Sequence, residues 1–149
     1  MKITKRMVES LSKEYPGKKI ICLPKRNPKE VVCEVAVASD GSWSLAVALI
    51  AKSIPHYHQT TWEVYRVLKG AVRLMDVTKR GKVLLPPSVR HPEGKTRESF
   101  GPDVIWPSRV HCAWAIGRYP AKVLVLSTPA WNPKDHHLLR NIKKPFILD

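Results

Sequence analysis

Short β-rich runs separated by glycine turns are the feature that most restricts the fold of this chain. Valine-rich runs lie over Glu30–Ala38 and Trp43–Lys52, and the Asp40-Gly41 pair between them is typical of a hairpin turn. Many short strands with turns at regular spacing predict an all-β barrel or sandwich. The other predicted strands are Lys19–Leu23, Glu63–Leu68, Ala71–Val77, Val83–Leu85, Val104–Trp106, His111–Gly117 and Ala121–Ser127.

Both ends of the chain differ from this β-rich middle. Thr4–Glu14 has apolar residues at helical spacing and begins with a threonine suited to an N-cap, so it predicts an α-helix that ends at Pro16-Gly17. We therefore expect a helix and basic arm over residues 1–29, packed on a barrel formed by residues 30–128. Residues 129–149 are expected to form a C-terminal tail.

Composition excludes several classes of protein. A chain of 149 residues suits one domain. No apolar run approaches the roughly 18 residues that span a bilayer, and the N-terminus lacks the apolar segment of a signal peptide. We expect a cytoplasmic protein with no membrane partner. Cys22, Cys33 and Cys112 lack CxxC spacing and lie in apolar runs, so each is expected to be a small buried hydrophobe.

The charge of the chain is strongly positive, with a net value of +14 at pH 7. Such an excess favours an anionic partner, either nucleic acid or a phosphorylated or carboxylated small molecule. A basic surface without a specific ligand is the alternative. Aromatic stacking platforms and nucleic-acid recognition motifs are not evident in the sequence, so we expect a small-molecule ligand and no nucleic-acid partner.

Histidines and a glutamate in the middle of the chain are the residues that can carry chemistry. His56 and His58 are two positions apart, so on a strand both imidazoles project from one face, as ligands of one metal ion must. Glu63 begins the next strand and can return a carboxylate to the same place. A fourth ligand has to come from elsewhere in the chain. His111 is the best candidate, because it heads a later strand directly after a turn-like segment.

This stretch resembles the first sequence motif of the cupin family. His56-x-His58-x4-Glu63-x6-Gly70 matches that motif in full. The resemblance implies an all-β fold, a double-stranded β-helix (jelly-roll) barrel with a short N-terminal α-helix. It also implies that His56, His58, Glu63 and His111 bind one divalent metal ion, which would be Fe, Mn, Zn or Ni.

A second stretch is similar to the other cupin motif. Pro107-Ser108-x-x-His111 corresponds to the Pro-Gly-x-x-His form of that motif, with serine in place of the glycine. The asparagine often found a few residues after the histidine is missing, and Ala115 lies in that region. The resemblance as a whole covers about residues 30–128.

The segment from His56 to Gly70 also resembles cupin-type phosphosugar isomerases. In those enzymes the metal and a neighbouring carboxylate or tyrosine assist proton transfer beside a carbonyl. The resemblance implies a metal-dependent enzyme of isomerase or epimerase type, acting on a small polar or anionic sugar-like substrate, with Glu63 and Tyr65 catalytic. Tyr65 shares the inward parity of Glu63, so its hydroxyl either faces substrate or is satisfied within the core.

Two other functions are compatible with the same residues. With iron bound, the site could support a dioxygenase; without catalysis, the cavity could serve a small-ligand-binding or sensor protein. Cupins are often dimers, and we expect a homodimer with Trp43, Trp62 or Trp114 as interface anchors.

Two further segments carry expectations of their own. Pro86–Gly101 is a polar loop whose length suggests a function. His136 and His137 are adjacent in the polar tail, would face opposite ways on a strand, and are expected at the surface.

Overall fold

The computed structural model describes residues 1–83, 88–92 and 103–142. Helix α1 spans Lys5–Glu14, and the side chain of Thr4 caps it by accepting a hydrogen bond from the backbone N–H of Met7 at 3.3 Å. The apolar side of α1 packs on the outside of a sheet, where Leu11 is buried against Val31 and Val47. The helix and its threonine cap are those that the sequence predicts.

Eleven strands are assigned within the described part of the chain, and they form two antiparallel sheets. The first sheet has the order β1-β2-β3-β10-β5-β8 and the second has the order β11-β4-β9-β6-β7. The strands are β1 (Lys19–Leu23), β2 (Glu30–Val37), β3 (Ser44–Ile50), β4 (His56–Tyr57), β5 (Trp62–Lys69), β6 (Val72–Asp76), β7 (Ser88–Arg90), β8 (Asp103–Ile105), β9 (His111–Ala115), β10 (Ala121–Thr128) and β11 (His137–Leu138).

The main core lies between the two sheets. Ile50, Tyr65 and Val123 point inward from the six-stranded sheet and meet Val72 and Leu74 of the five-stranded sheet. Each strand exposes alternate residues to the other side, as the period of two requires. β10 shows this pattern most clearly, since its odd-numbered residues are buried. Two inward-facing sheets therefore enclose the space into which the histidines project.

Gly70 shows why the first motif ends in glycine. The residue has φ of +81°, a left-handed conformation that side chains other than glycine's rarely adopt. A Cβ at this position would also lie 3.3 Å from the Cα of Ala121. The turn between β5 and β6 therefore needs glycine for both conformation and space.

The structure differs from the sequence predictions in two strands, and a third predicted strand lies mostly outside the described residues. The predicted loop Pro86–Gly101 contains β7, which pairs with β6, while residues 84–87 and 93–102 lie outside the described residues. For the predicted strand Val83–Leu85, only an isolated bridge from Val83 to Val77 lies within the described part. The tail contains β11, which pairs with β4. No helix among the described residues is long and apolar enough to cross a membrane.

Candidate metal centre

Four buried side chains from both sheets meet at one end of the space between the sheets. One ligand atom from each lies within 4.8 Å of the others, and the residues are His56, His58, Glu63 and His111. All four were singled out in the sequence. His58 follows the last residue of β4 directly, because that strand is only two residues long.

Strand pairing explains how these residues come together. His56 of β4 lies opposite His111 of β9 in the five-stranded sheet. Glu63 comes from β5 in the facing sheet, where its neighbours are Ile105 and Ser127. The sheet register therefore places three imidazoles on one side of the site and a carboxylate on the other.

Backbone carbonyl oxygens orient all three imidazoles in the same way. Each Nδ1 atom donates to a carbonyl, with distances of 2.7 Å for His56, 3.1 Å for His58 and 3.0 Å for His111. A carbonyl can only accept, so the proton is on Nδ1 and the Nε2 lone pair is free. In metal-binding histidines, the ring nitrogen that does not bind the metal commonly donates a hydrogen bond of this kind, which fixes the ring. The acceptors are Ile54, Asp135 and Arg109, respectively.

The Nε2 atoms test whether a metal ion fits the site. Those of His58 and His111 are buried and make no hydrogen bond within the described part of the chain. They lie 3.5 and 3.4 Å from the two oxygens of Glu63. Buried polar atoms without partners are unfavourable, and a cation among them would satisfy both nitrogens and the carboxylate. The cluster could therefore hold one metal ion.

The protonation states of Glu63 and His56 also suit a cation. For His58, burial lowers the pKa, but the carboxylate of Glu63 outweighs burial and raises it, so a metal ion competes with a proton at this ring. Burial opposes ionisation of Glu63, but the imidazoles of His111 and His58 outweigh it and hold the pKa of this carboxyl well below its usual range. Burial, reinforced by the neighbouring His111 and His136, holds the pKa of His56 well below its usual range, so its ring is neutral. Neutral imidazoles and an ionised carboxylate are the forms that bind divalent metals.

Tyr65 packs in the core and also reaches the wall of the cavity. It is buried, and its hydroxyl donates to Oε2 of Glu63 at 3.2 Å. It also lines the cavity beside the cluster. Its hydroxyl is therefore satisfied by a candidate metal ligand, and its proposed contact with a substrate stays a prediction.

The cavity lies between the sheets and has a volume of about 30 Å³. This is room for one or two water molecules. His56 and Glu63 reach its wall, while most other positions are apolar or hydroxyl-bearing. The lining residues are Ile21, Glu30, Val32, Glu34, Ser44, Ala46, Ala48, His56, Glu63, Tyr65, Val125, Ser127, Trp131 and His136.

His136 belongs to this site, and its expected place at the surface is wrong. Its ring stacks on His56 with centroids 4.3 Å apart, and Nδ1 accepts a hydrogen bond from Nε1 of Trp131 at 3.3 Å. Burial lowers the pKa of His136 to about 4. His137 is half-buried and stacks on Tyr57. The polar composition of the tail gave no signal of these contacts.

Asp135 is a second residue that the sequence did not reveal. Its carboxylate accepts hydrogen bonds from the backbone N–H groups of Gln59, Thr60 and Thr61, while its carbonyl accepts from His58. Burial opposes its ionisation, but these backbone donors outweigh it and lower the pKa of Asp135 to about 2. The tail therefore fixes the loop that carries His58.

The cysteines take no part in the cluster. Cys33 and Cys112 are buried, Cys22 is half-buried, and all three are free. Burial raises the pKa of Cys112 to about 12, so this thiol stays protonated. The expectation of small buried hydrophobes is confirmed for Cys33 and Cys112.

Comparison with known proteins identifies the fold. The sequence matches no family model and no curated protein. The structure is similar to a Streptomyces PAC13 variant with uridine, with a TM-score of 0.58 and 9% identity over 85% of this chain and 88% of that chain. It is also similar to a variant of Bacillus subtilis oxalate decarboxylase, with a TM-score of 0.61 and 11% identity over 83% of this chain and 31% of that chain. The predicted jelly-roll architecture with one N-terminal helix is confirmed.

Proposed function

Since this chain has the cupin fold with a buried cluster of three histidines and one glutamate, we propose that it is a divalent-metal-dependent enzyme. Its substrate is a small, polar, sugar-like molecule, and its reaction is of the isomerase or epimerase type. The observation that carries this proposal is the position of His56 and Glu63, which belong to the cluster and also line the enclosed cavity. A substrate in the cavity would contact the metal site directly.

The proposed chemistry divides between the bound ion and the chain. A divalent ion in this site would polarise a carbonyl or hydroxyl oxygen of the substrate. Tyr65 and Glu63 are joined by a hydrogen bond and both line the cavity, so we assign them to hydrogen bonding and to proton transfer at the carbon next to that oxygen. The buried surroundings exclude bulk water from this step.

The wall of the cavity favours a neutral substrate over an anionic one. No lysine or arginine of the described residues lines it, although the chain as a whole carries a net charge of +14. Hydroxyl and carboxyl groups are present instead, as on Ser44, Ser127 and Glu34. Such groups pair with substrate hydroxyls, whereas a phosphate would meet like charge. The small volume suits only the reacting end of a substrate.

The similar structures leave the choice of substrate open. PAC13 has been solved with uridine and is described as a nucleoside dehydratase, while the other protein is a decarboxylase of oxalate. A nucleoside carries a sugar with neutral hydroxyls. Uridine is therefore a reasonable first ligand to test beside free aldoses and ketoses.

Metal analysis tests the proposal first. We expect purified wild-type protein to hold about one divalent ion per chain, and a His56→Ala/His58→Ala variant to lose most of it, because two of four ligands are gone. Added metal at about 100 times its Kd should stabilise the wild type by about 2.7 kcal/mol. His91→Ala, outside the cluster, is the matched control. A wild type without metal, with the same melting temperature as the double variant in added metal, would contradict the proposal.

Turnover assays then separate the proposed isomerase or epimerase from a dioxygenase and from a non-catalytic ligand-binding or sensor protein. Conversion of a neutral sugar under nitrogen, lost in the Tyr65→Phe variant, is expected for the isomerase or epimerase. Iron in the site with oxygen uptake on catechol, flavonol or thiol substrates would replace this proposal by a dioxygenase. Tight binding of a sugar without conversion would replace it by a ligand-binding or sensor protein.

We also propose that the chain forms a homodimer. Trp62 and Trp106 stack on each other with centroids 5.1 Å apart on the outer side of the six-stranded sheet. Both are exposed, at 44% and 54%. Of the other expected anchors, Trp43 is exposed and Trp114 is half-buried beneath Lys52.

A further inference from the structure

Glu30 is a second carboxyl group in the cavity that carries the candidate metal ligands. It begins β2, where its backbone lies between Leu23 of β1 and Ile50 of β3. The residue is only 6% exposed, and its side chain reaches the cavity wall together with Glu63. Among the described residues, burial and the charges of Glu63 and His58 act on the Glu30 carboxyl, and no hydrogen bond stabilises its ionised form. A buried carboxyl whose charge no hydrogen bond stabilises is costly to ionise, so its position on the cavity wall calls for an explanation.

The surroundings keep the two carboxyls in different protonation states. Two imidazoles face Glu63 and favour its ionised form. Glu30 has no such partner, and burial, followed by the negative charge of Glu63, raises its pKa to about 8. A pair of acids separated in this way is the arrangement that assigns one as the charged group and the other as the proton donor.

We propose that Glu30 is the proton donor of this cavity and presents a neutral carboxylic acid to an oxygen of the bound substrate. This inference rests on the proposed function, since the substrate oxygen is the one that the metal site polarises. In the step, the O–H bond of Glu30 breaks as an O–H bond forms on the substrate carbonyl oxygen. The ionised carboxylate of Glu63 takes the proton of the neighbouring C–H bond, and the electron pair of that bond forms the C=C bond of an enediol. Glu30 is left as a carboxylate and recovers its proton from the product hydroxyl or from water.

Other titratable groups face the same cavity and belong in the interpretation of any pH dependence. On the same strand, Glu34 lies four residues from Glu30 and therefore on the same face. The groups from the elements packed around it are Glu63 and Tyr65 of β5, His56 of β4, His58 after β4 and His136 of the tail. Glu30→Gln removes only the transferable proton and keeps the shape of the side chain, and Glu34→Gln is the matched control.

Infrared difference spectroscopy tests whether the Glu30 carboxyl is protonated, and the measurement needs no bound metal. In wild-type protein at about pH 7 we expect the stretching band of a protonated carboxyl, which disappears as the pH rises past about 8. The band should be absent from Glu30→Gln and present in Glu34→Gln. If wild type and Glu30→Gln give the same spectrum at about pH 7, Glu30 is ionised there and the proposal is wrong, whether or not the protein binds metal.

Acetate binding to the cobalt(II)-loaded protein tests whether Glu30 faces a ligand of the metal site. At about pH 9 ionised Glu30 repels acetate, so Glu30→Gln should bind it about tenfold more tightly than the wild type, as followed by visible absorption. At about pH 6 the two should agree within about twofold, because Glu30 is then neutral. Glu34→Gln should follow the wild type.

The two proposals fail in different ways. Metal content measured on the same samples decides whether the cluster binds a metal ion. Wild-type protein that holds cobalt, but binds acetate like Glu30→Gln at both pH values, would overturn the role of Glu30 and leave the metal-dependent function standing. Protein without metal would overturn that function, and the infrared spectra would still decide whether Glu30 is a neutral acid.

Discussion

At the scale of single residues, Ser108 is the position where the chain departs most clearly from its motif. Its φ is +64°, in the left-handed region where glycine is favoured. Its backbone N–H donates to the carbonyl of His58, which joins the turn before His111 to the loop that holds another candidate ligand. A side chain in this conformation costs roughly 1–2 kcal/mol. The hydrogen bond to His58 therefore holds Ser108 in a strained conformation beside the candidate metal site.

Replacing Ser108 by glycine should relieve this strain. We expect Ser108→Gly to raise the free energy of unfolding by about 0.5–1 kcal/mol, because the larger entropy of glycine in the unfolded chain cancels part of the gain. Urea denaturation measures the change. Ser108→Ala keeps the Cβ and should give no increase, so equal stabilities for the glycine and alanine variants would argue against strain at this residue.

At the scale of elements, a single turn of 3₁₀ helix over Pro133–Asp135 organises the loop between β4 and β5. Asp135 binds three consecutive residues of that loop, from Gln59 to Thr61, through its carboxylate. Its folded pKa of about 2 lies below the usual value of 3.8. Its stabilising contribution is therefore present above about pH 4 and is lost as the pH falls towards 2.

Loss of this carboxylate should weaken both the fold and the metal site. We expect Asp135→Asn to lower the free energy of unfolding by about 1–3 kcal/mol, because an amide oxygen replaces a charged acceptor of several hydrogen bonds. Metal affinity should fall by about tenfold or more, because His58 loses its fixed loop. Calorimetric metal titration measures the second effect.

The control for this element is Asp40→Asn. Asp40 accepts a hydrogen bond from the backbone N–H of Ser42 in an exposed turn, and neither residue belongs to the metal-ligand cluster. We expect its metal affinity to match the wild type. An Asp135→Asn variant that binds metal as tightly as Asp40→Asn would show that the tail does not support the site.

At the scale of the whole molecule, the outer side of the six-stranded sheet exposes an apolar surface, which we call the tryptophan face. It is formed by Trp62, Trp106, Val104 and Leu126. Val64 pairs with both Val104 and Leu126, so these side chains belong to neighbouring strands on one side of the sheet. Helix α1 covers the other part of this side, around Val47. A contiguous exposed apolar surface is typical of an interface between proteins.

Charges placed on the tryptophan face should prevent the proposed homodimer. We expect wild-type protein to have the mass of a dimer by light scattering and Trp62→Lys/Trp106→Lys to have the mass of a monomer, because two ammonium groups cannot be buried unpaired at the interface. Tyr119→Lys is the control, since Tyr119 is 73% exposed and lies in the β9–β10 turn. A wild type that is monomeric at high concentration would contradict this assembly.

Local pattern in the sequence determined much of the fold and the candidate ligands. The N-cap at Thr4, the alternation along the strands and the glycine at position 70 depend on neighbouring residues, so short-range physics fixes them. The spacing of His56, His58 and Glu63 is likewise a local property of the sequence. These features could be predicted because period and backbone conformation are properties of a few consecutive residues.

Only the tertiary structure decided what surrounds those ligands. His58 and Asp135 are 77 positions apart, and His136 reaches His56 across a similar separation. Glu30 is an acidic residue in a valine-rich strand, and nothing in its local sequence distinguishes it from a solvated charge. Strand pairing across two sheets brings these side chains together and removes them from water. The cluster itself could be predicted from the sequence, and carbonyls two residues earlier orient His56 and His111. The carbonyl that orients His58 and the neighbours that set the protonation states of the cluster come from long-range packing.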